Sequence, residues 1–225
     1  MRSIGEALYL PLLKALVAFR AWKEERQVQA RYYKNPVFKQ IDQRLKQIYS
    51  SRDPFQISRE FLQRRGDPEI YAYGETPLTV LEEIGRECGL SETDTFLDLG
   101  CGTGRGLFFL AEEFGCKVVG IDWISEFTNN ANKIAGKRAF FATQNILDAD
   151  LSQATVIYLY GTCLEDETIL ALIQRFKQLP LSCKILTVSY PLSDYDPSFS
   201  IQKIFTSQFP WGTTEIYLNI YQSKF

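Results

Sequence analysis

From residue 71 onward, short continuous apolar runs alternate with stretches of helical periodicity. The runs predict strands over 95–99, 117–121, 138–142, 155–160 and 183–189, with helices over 103–115, 125–135 and 165–178. A further helix opens at Thr76-Pro77 and runs to about Cys88, with Thr76 read as N-cap and proline in the first turn. Val156-Ile157-Tyr158-Leu159 and Ile185-Leu186-Thr187-Val188 are apolar without alternation, as strands buried on both faces are. Extended segments near 200–206 and 214–222 close the chain as a hairpin. The expected class is α/β, with a Rossmann-like sheet of seven strands. Residues 1–70 read instead as helices near 4–30, 36–50 and 54–65, broken at Asn35-Pro36, Asp53-Pro54 and Gly66-Asp67-Pro68. They form a helical extension, a substrate lid or partner-binding segment, ahead of a 71–225 domain.

The first strand ends in Phe96-Leu97-Asp98-Leu99-Gly100-Cys101-Gly102-Thr103-Gly104, and the second ends in Asp122. Glycines let backbone approach a ligand closely, and a carboxylate about 20 residues on can grip ribose hydroxyls, so the pattern suits a nucleoside. A dinucleotide fingerprint needs a third glycine at the sixth position. The frames starting at Gly100, Gly102 and Gly104 put Arg105, Leu107 and Phe109 there, and no Gly-Lys-Ser/Thr ending exists for a P-loop. What remains, Asp98-x-Gly100-x-Gly102-x-Gly104, resembles motif I of the class I S-adenosylmethionine (SAM) methyltransferases. That resemblance implies SAM as cofactor. It places the turn, with Cys101, against the methionine part, Asp98 on the ammonium and Asp122 on the ribose. Trp123 would flank the adenine; Asn145 would accept from its amino group and Ile146 would pack on the ring.

Tyr73-Gly74-Glu75-Thr76, about 20 residues before motif I, narrows the resemblance to the disruptor-of-telomeric-silencing family of histone lysine methyltransferases. The similarity runs over about 71–222, through Thr155-Val156-Ile157-Tyr158, Val188-Ser189-Tyr190-Pro191-Leu192 and Trp211-Gly212. It implies that Glu75 and Thr76 close over the methionine end and that the acceptor is a protein lysine. The family has Asn after the fourth strand where Tyr160 stands, and Ser where Cys101 stands. Other seven-strand protein lysine methyltransferases also lack the usual fourth-strand motif.

Composition adds little to the class but limits the chemistry. The chain has no histidine, so no imidazole base is expected, and no zinc pattern or other metal site is read. A neutral amine would be delivered by desolvation in an aromatic channel, for which Tyr160, Tyr190, Trp211 and Tyr217 are the wall residues. Cys163 reads as a small buried thiol rather than a nucleophile. The five cysteines, odd in number and without a CxxC pair, together with the lack of an evident signal peptide or spanning segment, place the chain in the cytoplasm. Residues 1–70 hold 14 Lys+Arg against 8 Asp+Glu, while the other 155 residues hold 11 against 19. A basic arm on an acidic body could steer an acidic partner, though a solvated helical face accounts for it equally simply. The rival functions are a small-molecule methyltransferase with the helices as lid and a SAM-binding regulator without turnover. Nucleic acid is a weaker partner, since no base-reading motif accompanies the basic arm.

Overall fold

A computed structural model describes residues 4–223, with side chains from Leu12 onward. Three helices come first: α1 (Ile4–Arg31), α2 (Pro36–Ile48) and α3 (Pro54–Arg65). The proline breaks work as read. Asn35 caps α2 by accepting from Val37 N and Phe38 N at 3.0 and 3.2 Å, Asp53 caps α3, and Gly66 ends α3 in a left-handed conformation. The remainder alternates: α4 (Leu78–Glu87), β1 (Thr95–Leu99), α5 (Arg105–Phe114), β2 (Lys117–Asp122), α6 (Ser125–Asn132), β3 (Ala139–Thr143), β4 (Val156–Leu159), α7 (Asp166–Phe176) and β5 (Lys184–Val188). The hairpin β6 (Phe199–Phe209) and β7 (Gly212–Tyr221) completes a seven-stranded sheet in the order β3-β2-β1-β4-β5-β7-β6.

β1 to β5 run parallel, and β7 inserts antiparallel between β5 and β6. The strand order reverses between β1 and β4, and ligands in open α/β sheets bind at the carboxyl ends beside such a switch point. Alternation along the strands splits the core. Phe96, Tyr158, Leu186 and Val188 pack with α4 and α5, while Leu97, Leu99, Ile157 and Ile185 pack with α7.

The amino-terminal helices are integrated into that body. Val28, Tyr32, Phe38 and Leu45 are buried in the α4–α5 core. Much of the arm's positive charge is engaged internally: Arg31 pairs with Glu82, Lys46 with Asp42, and Arg52 with Glu60 and Glu126. Thr76 is not the cap of α4. Pro77 occupies that position without a side-chain bond, and Glu24 of α1 reaches across to accept from Thr79 N at 3.0 Å and Thr79 Oγ1 at 2.6 Å. A carboxylate there satisfies an orphan amide and favours the helix dipole. No described helix is long and apolar enough to cross a membrane.

Candidate active site

The turn between β1 and α5 requires its glycines. Gly102 and Gly104 adopt φ of 51° and 76°, which L side chains rarely adopt. A Cβ on Gly102 would lie 3.1 Å from Tyr73 Oη, and one on Gly104 would lie 2.5 Å from the Phe141 ring. Asp122 holds the turn: its carboxylate accepts from Gly102 N and Ile124 N, both at 2.8 Å. The loop before α4 folds over it. Tyr73 Oη donates to Glu75 Oε1 at 2.6 Å, Thr103 Oγ1 donates to the same oxygen, and Thr76 Oγ1 shares a 2.7 Å bond with Tyr158 Oη. Glu75 and Thr76, 22 or more positions before Asp98, thereby line one cavity with the turn.

Two cavities meet over this turn. The narrow one, about 50 Å³, is lined by Glu75, Thr76, Asp98, Cys101, Arg105 and Tyr158. The wide one, about 480 Å³, is lined by Asp122, Trp123, Asn145, Ile146, residues of α3 and the 160–165 loop. Gly74, Gly100, Gly102 and Tyr160 border both. The combined groove falls in the size range of small-molecule and cofactor sites. On the far side of Tyr160 stand two hairpin aromatics, with ring centroids 5.9 Å (Phe209) and 5.8 Å (Trp211) away.

The electrostatics differ between the cavities. Asp98 is half-buried and opens into the narrow one. Burial, and then the Asp122 charge, push its carboxyl up to about 8. Among the described residues no cation pairs with it and no donor reaches it. Burial also raises Asp122 above the usual carboxylate range, against the pull of the Ile124 and Gly102 amides. The Cys101 thiol is pushed up by burial and by the charges of Asp122 and Asp98, which keeps it protonated and inert. Burial raises the Tyr160 hydroxyl as well, so it is a neutral phenol.

Several expected positions need correction. The Asn145 amide oxygen accepts from Leu147 N at 3.0 Å, an Asx turn, which leaves it one lone pair for a ligand. Its amide NH2 is in addition a donor that suits a ring nitrogen. Tyr217 pairs across the sheet with Thr187, while its neighbours Ile216 and Leu218 pack on the Tyr158 face; alternation therefore turns Tyr217 to the other side, where it donates to Glu215. Tyr190 packs on that same α7 face with Tyr195, its hydroxyl buried without a partner. Neither tyrosine lines the groove, and nor does Trp211. Cys163 is exposed on the rim of the wide cavity, not buried.

Three groove residues were not singled out from the sequence. Tyr158 appeared only within an apolar strand. Arg65 ends α3 with its guanidinium 3.7 Å from the Trp123 ring centroid, a cation–π contact over the wide cavity. Arg105, noted only as a failed glycine position, lines the narrow cavity. The basic Arg64-Arg65 end of a helix next to Gly66 was the sole signal for the second; nothing local marks the others.

With this geometry in place, comparison with known proteins is informative. Residues 69–175 match the family model described as "Histone methylation protein DOT1". The fold is that of a class I methyltransferase. A Dictyostelium discoideum "Histone-lysine N-methyltransferase, H3 lysine-79 specific" is 28% identical over 62% of the chain, which spans 8% of that protein's length. A Saccharolobus islandicus "Protein-lysine N-methyltransferase" is 26% identical over 56% of the chain and 80% of that protein. Among solved structures, an RNA methyltransferase from Salinibacter ruber in complex with S-adenosyl-L-homocysteine superposes with a TM-score of 0.56 at 23% identity, over 68% of the chain and 96% of the neighbour. The resemblance read from Tyr73–Thr76 and motif I therefore coincides with the matched family model.

Proposed function

We propose that the groove binds SAM and that the protein transfers its methyl group to the side-chain amine of a protein lysine. The observation that carries this reading is the meeting of two chemically unlike cavities at Tyr160. A buried carboxyl without a counter-ion suits an ammonium, which would restore Asp98 to its charged form. Asp122 keeps unused lone pairs for ribose hydroxyls beyond the two amides it already accepts. Trp123, Ile124 and Ile146 supply apolar surface for a base.

When bound, SAM supplies an activated sulfonium methyl group. The protein's part is alignment and water exclusion. With the amino-acid end on Asp98 and the ribose on Asp122, the reacting centre falls at the junction beside Tyr160. There the neutral Tyr160 phenol offers a wall of low polarity, with Phe209 and Trp211 packed against its ring. Desolvation against such a wall lowers an amine's pKa and favours its nucleophilic neutral form. The names of the two curated relatives support lysine as the acceptor. The unpaired thiols support a reducing cytoplasmic setting.

The test is incubation with methyl-labelled SAM and a protein lysate, followed by acid hydrolysis of the protein fraction. Labelled methyl-lysine is the expected product. Label confined to small molecules or to nucleic acid would replace the acceptor. Absence of SAM binding by calorimetry would remove the reading altogether.

A further inference from the structure

Arg105 stands at the first position of α5 and lines the narrow cavity, yet the groups that hold it come from the amino-terminal helices. Its Nε donates to Asp42 Oδ1 at 2.6 Å, and its Nη2 donates to Asp42 Oδ2 and Glu25 Oε2, each at 3.2 Å. Asp42 is fully buried on α2. Burial alone would raise its carboxyl, but Arg105, Lys46 and Tyr33 together hold it below the usual range. Tyr33 Oη donates to Asp42 Oδ2 at 2.7 Å, and Lys46 lies 2.8 Å from the same oxygen and also pairs with Glu25. The cluster thus holds two cations and two carboxylates and is internally neutral. Among the described residues Arg105 Nη1 takes no hydrogen-bond partner, and the residue faces the cavity that also contains Asp98.

We infer that Asp42 and Glu25 are positioning residues that lock Arg105 with its Nη1 edge presented to the carboxylate of the cofactor's amino-acid end. This rests on the cofactor assignment above and deepens it. The narrow cavity then reads both charges of a zwitterion, the ammonium at Asp98 and the carboxylate at Arg105. A guanidinium suits that task because its fork can stay bound to a structural carboxylate on one edge while the other edge donates to ligand. The inference also gives the amino-terminal helices a role inside the site: α1 and α2 carry the clamp.

Three ligands separate positioning from mere structure: SAM, decarboxylated SAM (sulfonium and ammonium, no carboxylate) and 5′-methylthioadenosine (no amino-acid part). Affinities are measured by calorimetry for the wild type, Asp42→Asn and Glu25→Gln. The wild type should prefer SAM to decarboxylated SAM. Asp42→Asn should cut that preference about 10-fold and Glu25→Gln about 3-fold, with methylthioadenosine unchanged in both. Glu25 is partly exposed, so its variant carries the test if Asp42→Asn does not fold. An unaltered preference, or equal weakening of all three ligands, would overturn the positioning role. A wild type that binds none of the three would overturn the cofactor assignment itself, a result seen before any variant is made.

Discussion

The two ends of the groove are built on different principles. At the narrow end, polar side chains converge from six separate elements: the 73–76 loop, β1, β4, α5 and, through Arg105, α1 and α2. Most polar groups there are engaged, and the exceptions are Asp98 and the Nη1 edge of Arg105. At the wide end the polar contacts are few and the walls are Phe61, Leu62, Trp123, Ile124, Ile146 and Leu147. One end selects by charge placement, the other by shape and apolar area. A charge mismatch at the narrow end should therefore be costly, and a side-chain loss at the wide end should be graded.

The largest break in that contrast should come at Asp122, which lines the wide cavity and also braces the glycine turn. Asp122→Ala removes two acceptor bonds to backbone as well as the ribose contact, and SAM affinity by calorimetry should fall about 100-fold. The melting temperature should fall too, because buried amides of the turn lose their partner. Asp98→Asn comes next, with about 30-fold weaker SAM binding for loss of the charged contact. Unlike Asp122→Ala, it should stabilise the ligand-free protein near pH 8.

The sign follows from the raised carboxyl. Asp98 titrates near 8 when folded and near the ordinary carboxylate value when unfolded, so its protonated form contributes stability below about pH 4 that is lost as pH rises through 8. Binding an ammonium requires the ionised form, so SAM binding releases about one proton. Affinity should rise about tenfold per unit between pH 6 and 7.5 and level off near 8. Calorimetry in buffers of different ionisation enthalpy reads the proton directly, and Asp98→Asn should flatten the profile. A slope that survives in Asp98→Asn would transfer the effect to Asp122, which burial also raises. At the wide end, Trp123→Ala should cost about 5-fold and Asn145→Ala about 2- to 3-fold in affinity, with kcat little changed for both.

Away from ligand contacts, Gly104→Ala sharpens what the turn itself requires. A methyl group would meet Phe141 at 2.5 Å from a backbone with φ of 76°, so a loss of about 1–3 kcal/mol in unfolding free energy is expected. Denaturant titration checks it.

The sequence signals divide along the same line as the groove. Strands β1 to β5 and the turn were legible because apolar runs and glycine spacing are local properties of the chain. So was Asp122, which sits at a strand tip a fixed distance from the turn. The Arg105 clamp was not, since its partners lie 63 and 80 positions away and depend on which face of α2 meets α5. In sequence, Asp42 is one polar residue in an amphipathic helix; its burial follows from packing that periodicity cannot specify. Tyr190 and Tyr217 were misplaced for a related reason. An aromatic near a strand end is recognisable, but the face it takes is not: register turns Tyr217 away from the Tyr158 face, and the chain past β5 carries Tyr190 into the α7 core. Asn145 lines the wide cavity, but its oxygen also turns back onto the backbone, as a polar residue just past a strand commonly does.

A structure of the protein with S-adenosyl-L-homocysteine tests the central claim most directly. The account predicts the sulfur at the junction bordered by Gly74, Gly100, Gly102 and Tyr160, the amino-acid end on Asp98 in the narrow cavity, and the ribose on Asp122 in the wide one. A ligand bound with its nucleoside elsewhere, or with its sulfur remote from Tyr160 and the hairpin aromatics, would contradict it.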